Sequence, residues 1–407
     1  MPAPRSPTPS RRPPSNPVTS LILTLNAGSS SLKTALYEAS AEGAPLMTGL
    51  IERIGTAPFL KAKWANGATV ERSIGHPEAG HAGAMKAVLD LVLEGAPDAH
   101  IDAVCHRIVH GGTERTDSIV LTEPLMKELA ALAPYAPLHQ PHNLSGVRGA
   151  MEAFPDALQI ACFDTAFHRG HPWVNDTFAL PRAYYDKGVR RYGFHGLSYD
   201  YISTKLAADY PDLYAGRVVV AHLGNGASMC GLLGGRSIAS TMGFSAVDGL
   251  PMGTRTGQLD PGVLLYLMTE EGMNADAITD LIYKRSGLLG LSGVSNDMRT
   301  LEESDDPAAA EAIDYFVFRI RRELGGLAAA LGGIDGLVFT GGIGEHSALV
   351  RERVCEGMGW IGISIDTAAN TQNGPDLTGP GGSVTVLALA TDEEGVLARE
   401  ARRHLAA

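Results

Sequence analysis

Apolar residues recur along the first half of the chain with two alternating spacings. Short apolar runs bounded by polar residues, typical of buried strands, occupy 21–25, 33–38, 101–112 and 156–164. The segments 81–95 and 126–133 instead repeat their apolar residues with the period of a helix, and Gly95 ends the first of them. Strands that alternate with helices predict an α/β fold.

The second half of the chain begins with a similar pattern. Residues 216–241 contain an apolar strand, a loop built on Gly, Asn and Ser, and a second apolar strand, as do residues 21–38. Because one such hairpin opens each half, the sequence predicts a duplicated domain. Further helices are expected at 276–293 and 308–333. Strand, turn and helix units are expected at 336–354 and 384–407.

Composition narrows the class of protein. A chain of 407 residues exceeds the usual size of one hydrophobic core, so two domains are expected. A net charge of −12 argues against a protein that binds nucleic acid or anionic membranes through a basic face. No run approaches the ~18 apolar residues of a membrane span. Residues 1–20 are rich in Pro, Ser and Arg and predict a disordered tail rather than a secretory signal.

The four cysteines are far apart and form no C-x-x-C pair. We interpret them as reduced thiols, which predicts a cytoplasmic protein.

Three glycine-rich loops follow predicted strands, at 26–33, 222–228 and 340–347. Glycine lets backbone N–H groups converge on an anion without a side chain in the way. None of the loops has the spacing of a P-loop or of a dinucleotide-binding fingerprint. Each alone could be only a turn, but the three together indicate a phosphate or nucleotide site.

Two arginines and two carboxylates lie at positions where active sites often place charged groups. Arg107 lies in an apolar strand and Arg255 in a loop rich in Gly and Met, where each could grip a carboxylate or phosphoryl group or form a buried ion pair. Asp164 and Glu393 follow predicted strands, which suits metal binding or proton handling, or else capping of a helix.

The histidines divide into two kinds. His106 and His110, predicted on a strand, and His139 and His142, predicted in a Pro-rich loop, lack the helical spacing of a zinc site and are not expected to bind metal. His195 is flanked by an aromatic residue and a glycine, which suggests an imidazole displayed at a cleft.

Eight motifs together resemble the acetate and propionate kinase family. In chain order they are NAGSSSLK, HRIVHGG, FDTAFH, RRYGFHG, HLGNGAS, MGTRTG, GVSNDMR and TGGIGE. The resemblance covers nearly all of residues 21–400. It implies the duplicated two-domain fold of acetate and sugar kinases, Hsp70 and actin, a ribonuclease H-like α/β fold with an active-site cleft between the domains. It also implies a homodimer and the reversible, Mg²⁺-dependent transfer of the γ-phosphoryl group of ATP to acetate, with Mn²⁺ as the alternative metal.

The resemblance also assigns domains. Residues 21–166 would form the N-terminal α/β domain, completed by a C-terminal helix at about 395–407, and residues 167–394 the nucleotide-binding domain.

The resemblance assigns residues to four roles. It implies that Asp164, His195 and Arg255 are catalytic and that Asn26 and Glu393 hold the metal. Substrate binding would fall to Arg107 and to an apolar pocket for the methyl group, formed by Val109, Leu138, Phe194 and Ala246. The nucleotide would be bound by Ser29, Ser31, Lys33, His222, Leu223, Gly224, Asn225, Gly226, Asp297, Met298, Arg299, Gly342, Ile343, Gly344, Glu345 and His346.

Asp164 need not act as a base. Acetate, with a pKa near ~4, is already ionised at neutral pH and has no proton to lose. We therefore expect Asp164 to orient Arg107 or metal-bound water.

Five residues near the site depart from the family pattern, among them His346 and Asp392, each of which replaces an Asn. Leu197 and Tyr199 replace a Thr and a His near His195, and Ala246 replaces a Pro of the methyl pocket. The last change predicts room for propionate, so a propionate or butyrate kinase remains the nearest alternative. A non-catalytic nucleotide-binding module and a sugar kinase of the same fold are the more distant ones.

Overall fold

The structure, a computed structural model, describes residues 20–28, 31–75, 80–97, 99–137 and 139–407. Apart from Ser20, which begins the first strand, the expected tail lies outside these ranges. The described strands are β1 (Ser20–Ala27), β2 (Leu32–Glu38), β3 (Met47–Glu52), β4 (Phe59–Trp64), β5 (Thr69–Ser73), β6 (His100–Ile108), β7 (Ile119–Val120), β8 (Leu158–Phe163), β9 (Arg217–Leu223), β10 (Ala227–Leu233), β11 (Arg236–Ser240), β12 (Gly336–Thr340) and β13 (Thr385–Ala388).

Helices connect these strands. They are α1 (Gly80–Gly95), α2 (Glu123–Ala130), α3 (Gln140–Ala153), α4 (Trp173–Asp176), α5 (Arg182–Asp186), α6 (Gly196–Asp209), α7 (Pro211–Ala215), α8 (Pro261–Thr269), α9 (Ala275–Lys284), α10 (Gly287–Ser292), α11 (Met298–Glu302), α12 (Pro307–Leu331), α13 (Gly341–His346), α14 (Ala348–Cys355), α15 (Thr367–Thr371) and α16 (Glu393–Leu405). None of the helices in the described ranges is long and apolar enough to cross a membrane.

Two sheets contain the same arrangement of strands. The first has the order β5-β4-β3-β2-β1-β6-β8-β7, and the second has the order β11-β10-β9-β12-β13. In the first, β3, β2 and β1 pair antiparallel, and β1, β6 and β8 pair parallel. In the second, β11, β10 and β9 pair antiparallel, and β9, β12 and β13 pair parallel. This repeat confirms the predicted duplicated α/β fold.

The central strands are apolar because both of their faces are covered. In β1 the seven residues after Ser20 are all buried, which is the pattern of a strand with layers on both sides rather than of an exposed edge. The outer strand β5 has no buried residue and alternates between exposed and half-buried positions. The core of the first sheet therefore lies around β1, β6 and β8.

Two helices connect the halves of the molecule. Val396, Leu397, Ala398 and Ala401 of α16 pack in one cluster with residues of β1, β2, β6 and β8, so the C-terminal helix covers the first sheet. Helix α6 contributes Leu197 to that cluster, and it contributes Tyr199, Ile202 and Leu206 to a cluster with the second sheet. Helix α6 thus packs against both sheets, and His195 stands directly before it.

The structure corrects some boundaries. His142 lies in α3 rather than in a loop, because Pro141 occupies the first turn of a helix, where its missing N–H costs nothing. The helical segment expected at 276–293 is divided into α9 and α10 around Arg285 and Ser286. Strands β3 to β5 were not anticipated.

Candidate active site

The site is centred on the carboxyl ends of the parallel strands β6 and β8. Arg107, near the end of β6, donates from Nε to Asp164 Oδ1 at 2.9 Å and from Nη2 to Asp164 Oδ2 at 2.5 Å. Burial alone would lower the pKa of Arg107, but the charges of Asp164 and Glu393 outweigh it and raise that pKa. The ion pair that was the structural alternative for Arg107 is therefore present, and it leaves part of the guanidinium free.

Asn26, at the end of β1, joins this pair to the start of α16. Its Oδ1 accepts from Arg107 Nη1 at 2.9 Å, and its Nδ2 donates to Glu393 Oε2 at 2.9 Å and to Glu394 Oε1 at 3.3 Å. Burial would raise the pKa of Glu393, but the nearby charge of Arg107, aided by His222 and Lys33, holds that pKa below its ordinary value. Glu393 is therefore a carboxylate at neutral pH.

These oxygens form a donor set that suits a hard cation. Among the described residues no three His, Cys, Asp or Glu side chains cluster in the way of an all-protein metal site. Mg²⁺ does not require such a cluster, since it is usually held by one or two carboxylates together with water and substrate phosphates. Glu393 fits that mode of binding, and Asn26 would join it with its Oδ1, which here accepts from Arg107, turned toward the carboxylate.

His195 and Arg255 meet at Gly226. A Cβ on Gly226 would lie 3.0 Å from Arg255 Nη2 and 3.2 Å from His195 Nε2, so glycine is what allows both groups to approach the loop. His195 has a φ of 57°, in the left-handed region that glycine usually takes. Gly196 follows it, and its N–H donates to Asp164 O at 3.0 Å, which ties the histidine to the end of β8.

Arg255 has no acidic partner within the described chain. Its Nη1 donates to the backbone O of Ala246 at 2.6 Å, and none of the ion pairs found there includes it. Burial, together with the charge of Arg107, lowers the pKa of Arg255 to about 10, although the group stays cationic at neutral pH. A half-buried cation that has no carboxylate partner among the described residues is poorly compensated, so this position favours an anionic ligand.

The ring of His195 is held by a serine and a second histidine. Nδ1 lies 2.8 Å from Ser228 Oγ, and the ring stacks on that of His222 with centroids 4.3 Å apart. His222 Nδ1 in turn lies 2.8 Å from Ser198 Oγ. Burial, with the charges of neighbouring His222, Arg107 and Arg255, lowers the pKa of His195 well below its usual value. In the free protein the imidazole is therefore neutral.

A cavity of about 410 Å³ opens beside this centre. Of the residues expected to bind nucleotide, it is lined by Gly224, Asn225, Asp297, Met298, Arg299, Gly342, Ile343 and His346. These residues come from three separate segments of the chain: the β9–β10 loop, the start of α11, and α13. The fold therefore brings together eight of the residues expected to bind nucleotide. Asn296, Glu302 and Ser347 line it as well.

The other expected nucleotide residues lie behind or beside this cavity. Leu223 is fully buried in the core, while His222 and Gly226 face His195. Glu345 Oε1 accepts from the N–H groups of Gly341 and Thr391 at 3.0 and 3.2 Å, so its carboxylate holds two loops together. The carbonyl of Gly344 accepts from Arg351 Nη1 at 2.9 Å. These residues support the cavity wall and do not line it.

The first glycine-rich loop is described only in part. Gly28 N donates to Ser31 O at 2.8 Å, and Lys33 on β2 is exposed near Glu393. Ser29 lies outside the described residues. Lys33 also lines a second cavity of about 480 Å³ on the face of β2 to β5.

The expected methyl pocket is apolar. Val109 and Phe194 belong to one buried cluster, and Ala246 packs against that cluster. Leu138 lies outside the described residues. Because Ala246 O is the acceptor of Arg255 Nη1, the pocket adjoins the unpaired guanidinium.

The four histidines not expected to bind metal lie in different surroundings. His106 is buried with Nε2 2.8 Å from Gln159 Oε1, and burial lowers its pKa to about 4. His110 packs against Tyr192 with ring centroids 4.3 Å apart. Burial and the charges of Arg255 and Arg107 lower the pKa of His139 to about 3, which places this ring near the centre. His142 instead stacks on His81.

Four residues at the site were given no role there by the sequence. Glu394 shares Asn26 with Glu393, His139 approaches the two arginines, and Ser228 and Tyr199 lie behind His195. Only the pairing of distant segments reveals them, although the unusual Tyr199 had marked its neighbourhood.

Nearly the whole chain matches a known protein family. The Acetokinase family model matches residues 21–399. A protein of Methylocella silvestris named acetate kinase is 54% identical, over 93% of this chain and 96% of that relative. The acetate kinase of Porphyromonas gingivalis has a crystal structure that is 39% identical with a TM-score of 0.83, covering 95% of this chain and all of that one. A propionate kinase from Francisella tularensis is 34% identical with a TM-score of 0.86, covering 94% and 98%.

Proposed function

The chain belongs to the acetokinase family and is therefore a kinase with ATP as co-substrate, and we propose that its acceptor is acetate. The reaction moves the γ-phosphoryl group directly and reversibly to the carboxylate, and it gives acetyl phosphate and ADP. The observation that carries this proposal is the convergence of His195 Nε2 and Arg255 Nη2 at Gly226, next to the 410 Å³ cavity.

Charge explains why this convergence suits phosphoryl transfer. The moving phosphoryl group spreads negative charge over its equatorial oxygens, so catalysis is largely a matter of positioning and of electrostatic stabilisation. Arg255 supplies a cation that no carboxylate in the described chain neutralises, and His195 supplies an N–H donor. In this arrangement ATP occupies the cavity with its γ-phosphate toward Gly226.

Arg107 and Asp164 act as a unit in this proposal. Acetate carries no proton at neutral pH, so Asp164 has none to remove, and its two bonds to Arg107 support the role of an orienting group. The N–H groups of Arg107 that Asp164 and Asn26 leave free then offset repulsion between acetate and ATP. Asp164→Asn should lower kcat; an unchanged kcat with unchanged Mg²⁺ dependence would refute this role.

Asn26 and Glu393 are the residues that would hold Mg²⁺. When bound, the ion would neutralise charge on the ATP phosphates. Lys33, on the adjacent strand, adds a flexible cation on the same side of the site.

The proposal is tested by ADP formation with different acceptors. Purified protein with ATP and Mg²⁺ should release ADP rapidly when acetate is added, and glucose should not increase the rate above the background. Glucose-dependent ADP formation would favour a sugar kinase. The absence of any acetate-dependent rate would favour a nucleotide-binding module that has lost catalysis.

Propionate is the second acceptor that a specific feature favours. Ala246 has a single methyl group where it packs beside Val109 and Phe194, and a solved structure with 34% identity is a propionate kinase. One additional methylene in an apolar pocket is worth about 1–3 kcal/mol.

We also propose a cytoplasmic homodimer. The cysteines Cys105, Cys162, Cys230 and Cys355 are all free and buried, which suits a reducing compartment. Helix α8 has no buried residue, and Leu265 and Tyr266 are exposed by more than half. A second copy of the chain would cover this apolar face. Cell fractionation tests the location, and the molar mass in solution tests the dimer.

A further inference from the structure

Behind His195 lies a chain of two hydroxyl groups. Ser228 Oγ, on β10, is 2.8 Å from His195 Nδ1 and 2.5 Å from the hydroxyl oxygen of Tyr199, on α6. Both Ser228 and Tyr199 are fully buried. The three groups therefore form an unbroken line of hydrogen bonds that ends at the imidazole facing Gly226.

The direction of these hydrogen bonds follows from the end of the line. Ser228 Oγ is the one hydrogen-bonding partner of the Tyr199 hydroxyl among residues 20–28, 31–75, 80–97, 99–137 and 139–407. Burial raises the pKa of Tyr199 well above its usual value, so the phenol keeps its proton. A buried O–H without an acceptor would bear the full cost of desolvation, so the hydrogen of Tyr199 points to Ser228.

The direction at Tyr199 fixes the direction at His195. Once Ser228 Oγ accepts from Tyr199, its own hydrogen is available for His195 Nδ1. A neutral imidazole that accepts at Nδ1 carries its hydrogen at Nε2. The reverse direction would leave the hydrogen of Tyr199 without an acceptor and would turn a lone pair at Nε2 toward the anion.

We propose that Tyr199 and Ser228 are positioning residues that fix His195 in the tautomer with hydrogen on Nε2. This inference rests on the proposed function, because the Nε2–H then donates to the transferring phosphoryl group beside Arg255. It goes further by assigning a catalytic purpose to a tyrosine and a serine that do not touch substrate.

The tautomer can be measured directly in the full-length protein. In ¹⁵N NMR of histidine-labelled enzyme, with the His195 signals identified by their loss in His195→Gln, the ring should show a hydrogen on Nε2 and none on Nδ1 at neutral pH. A hydrogen on Nδ1, alone or together with one on Nε2, would overturn the proposal whether or not any variant folds.

Two variants then test the role of the hydroxyl chain. Tyr199→Phe and Ser228→Ala each remove one hydroxyl and almost no volume. Each should give a mixture of tautomers and lower kcat about tenfold, with KM for ATP and acetate unchanged, because an N–H donor to the transition state is lost in part of the population. If a variant keeps the wild-type tautomer, the residue substituted in it does not fix the tautomer of His195, and the proposal is wrong for that residue.

A control separates this effect from general loss of packing. Tyr201→Phe removes a hydroxyl from the same helix, at a half-buried position outside the chain of hydrogen bonds, and should leave kcat and the tautomer as in the wild type. A similar loss in Tyr201→Phe would mean that the tyrosines act only through the stability of α6. If wild-type protein shows the Nε2–H tautomer but no acetate-dependent activity, the proposed function fails and the assignment of the tautomer stands.

Discussion

At the scale of the residue, Ala246 lies where the proposed pocket for the acyl group meets Arg255. Its carbonyl holds Arg255 in place, and its methyl group packs against the cluster that contains Val109 and Phe194. Backbone and side chain thus have separate tasks, and a substitution can change the size of the pocket while the bond to Arg255 is retained.

Ala246→Pro should therefore sharpen the choice of acceptor. No described hydrogen bond uses the N–H of Ala246, so proline removes none, and its ring narrows the pocket. We expect kcat/KM for propionate to fall about tenfold or more relative to acetate. Steady-state kinetics with both acids measure the ratio. A wild-type kcat/KM for propionate already hundreds of times below that for acetate would contradict the account of this pocket.

A buried histidine predicts how stability depends on pH. Burial lowers the pKa of His106 to about 4, whereas in the unfolded chain it is about 6.5. Between these values the unfolded state binds more protons than the folded one, so the free energy of unfolding falls as pH falls from 6.5 toward 4. At pH 5 the loss from this residue is about 2 kcal/mol relative to pH 7.

His106→Asn removes this titration and can keep a donor for Gln159. The difference in the free energy of unfolding between pH 7 and pH 5, from urea titrations, should shrink by about 2 kcal/mol relative to the wild type. Equal differences in the two proteins would show that His106 does not resist protonation in the fold.

Residues differ in how well the sequence predicts them. Arg107 and Asp164 could be singled out because each is a charge within or at the end of an apolar run, and Arg255 because it lies in a loop rich in Gly and Met. Glu394 and Ser228 could not, because their importance lies in partners from other segments, and Tyr199 was marked only as a departure from the family pattern, without its partner. The structure also places Glu345 among structural residues, since its carboxylate bonds to backbone N–H groups.

At the scale of the element, α13 depends on one arginine for its position. Arg351, on α14, is fully buried and donates to the backbone carbonyls of Gly344, Glu345 and Asn370 and to the side chains of Asn370 and Asn373. It thereby joins α13, which lines the cavity, to α15. The five hydrogen bonds of this guanidinium hold the wall of the cavity in place.

Arg351→Met should loosen the wall of the nucleotide cavity. Leaving these acceptors unpaired should lower the free energy of unfolding by about 3 kcal/mol and raise KM for ATP more than KM for acetate. Thermal unfolding and kinetics measure the two effects. Arg353→Met, on the same helix but at the surface with Asp314, serves as the control and should change neither. Equal KM values for ATP in Arg351→Met and wild type would contradict this role of α14.

Elements follow from the sequence where their periods are distinct. The β1–β2 and β9–β10 hairpins were predicted because apolar runs flank a loop of small polar residues. Strands β3 to β5 were missed because exposed and half-buried positions dilute the apolar pattern at the edge of the sheet. The glycine-rich turn predicted after β12 is short, because Gly341, with a φ of 77°, reverses the chain within one residue and α13 follows directly.

At the scale of the whole molecule, the duplicated sheets explain where the site lies. The first sheet supplies Asn26, Arg107 and Asp164 at or next to the ends of β1, β6 and β8, and the second sheet leads into the loops around the cavity. Alternating strands and helices predicted the α/β class and the repeated hairpin predicted a duplication, whereas the particular two-domain fold came from the resemblance. The contact of α6 with both sheets could not be predicted, because nothing in the sequence of this helix shows which sheet each residue packs against.

The exposed face of α8 predicts the oligomeric state. In size-exclusion chromatography with light scattering, the wild type should have twice the mass of the 42.8 kDa chain, and Leu265→Glu should have the mass of one chain because a buried charge is costly. Trp360→Glu, at a more exposed apolar residue outside α8, should stay dimeric. A monomeric wild type, or a dimer in all three, would contradict the assignment of this face.

In the proposed reaction, a carboxylate receives the γ-phosphoryl group of ATP. ³¹P NMR of the purified protein with ATP, Mg²⁺ and acetate reports the identity of the phosphorylated product. With excess acetate we expect an acetyl phosphate signal and the signals of ADP to grow in together while the γ-phosphorus signal of ATP declines until equilibrium is reached, and we expect Arg255→Gln to lose nearly all of this conversion. Accumulation of inorganic phosphate without a preceding acetyl phosphate signal would contradict it.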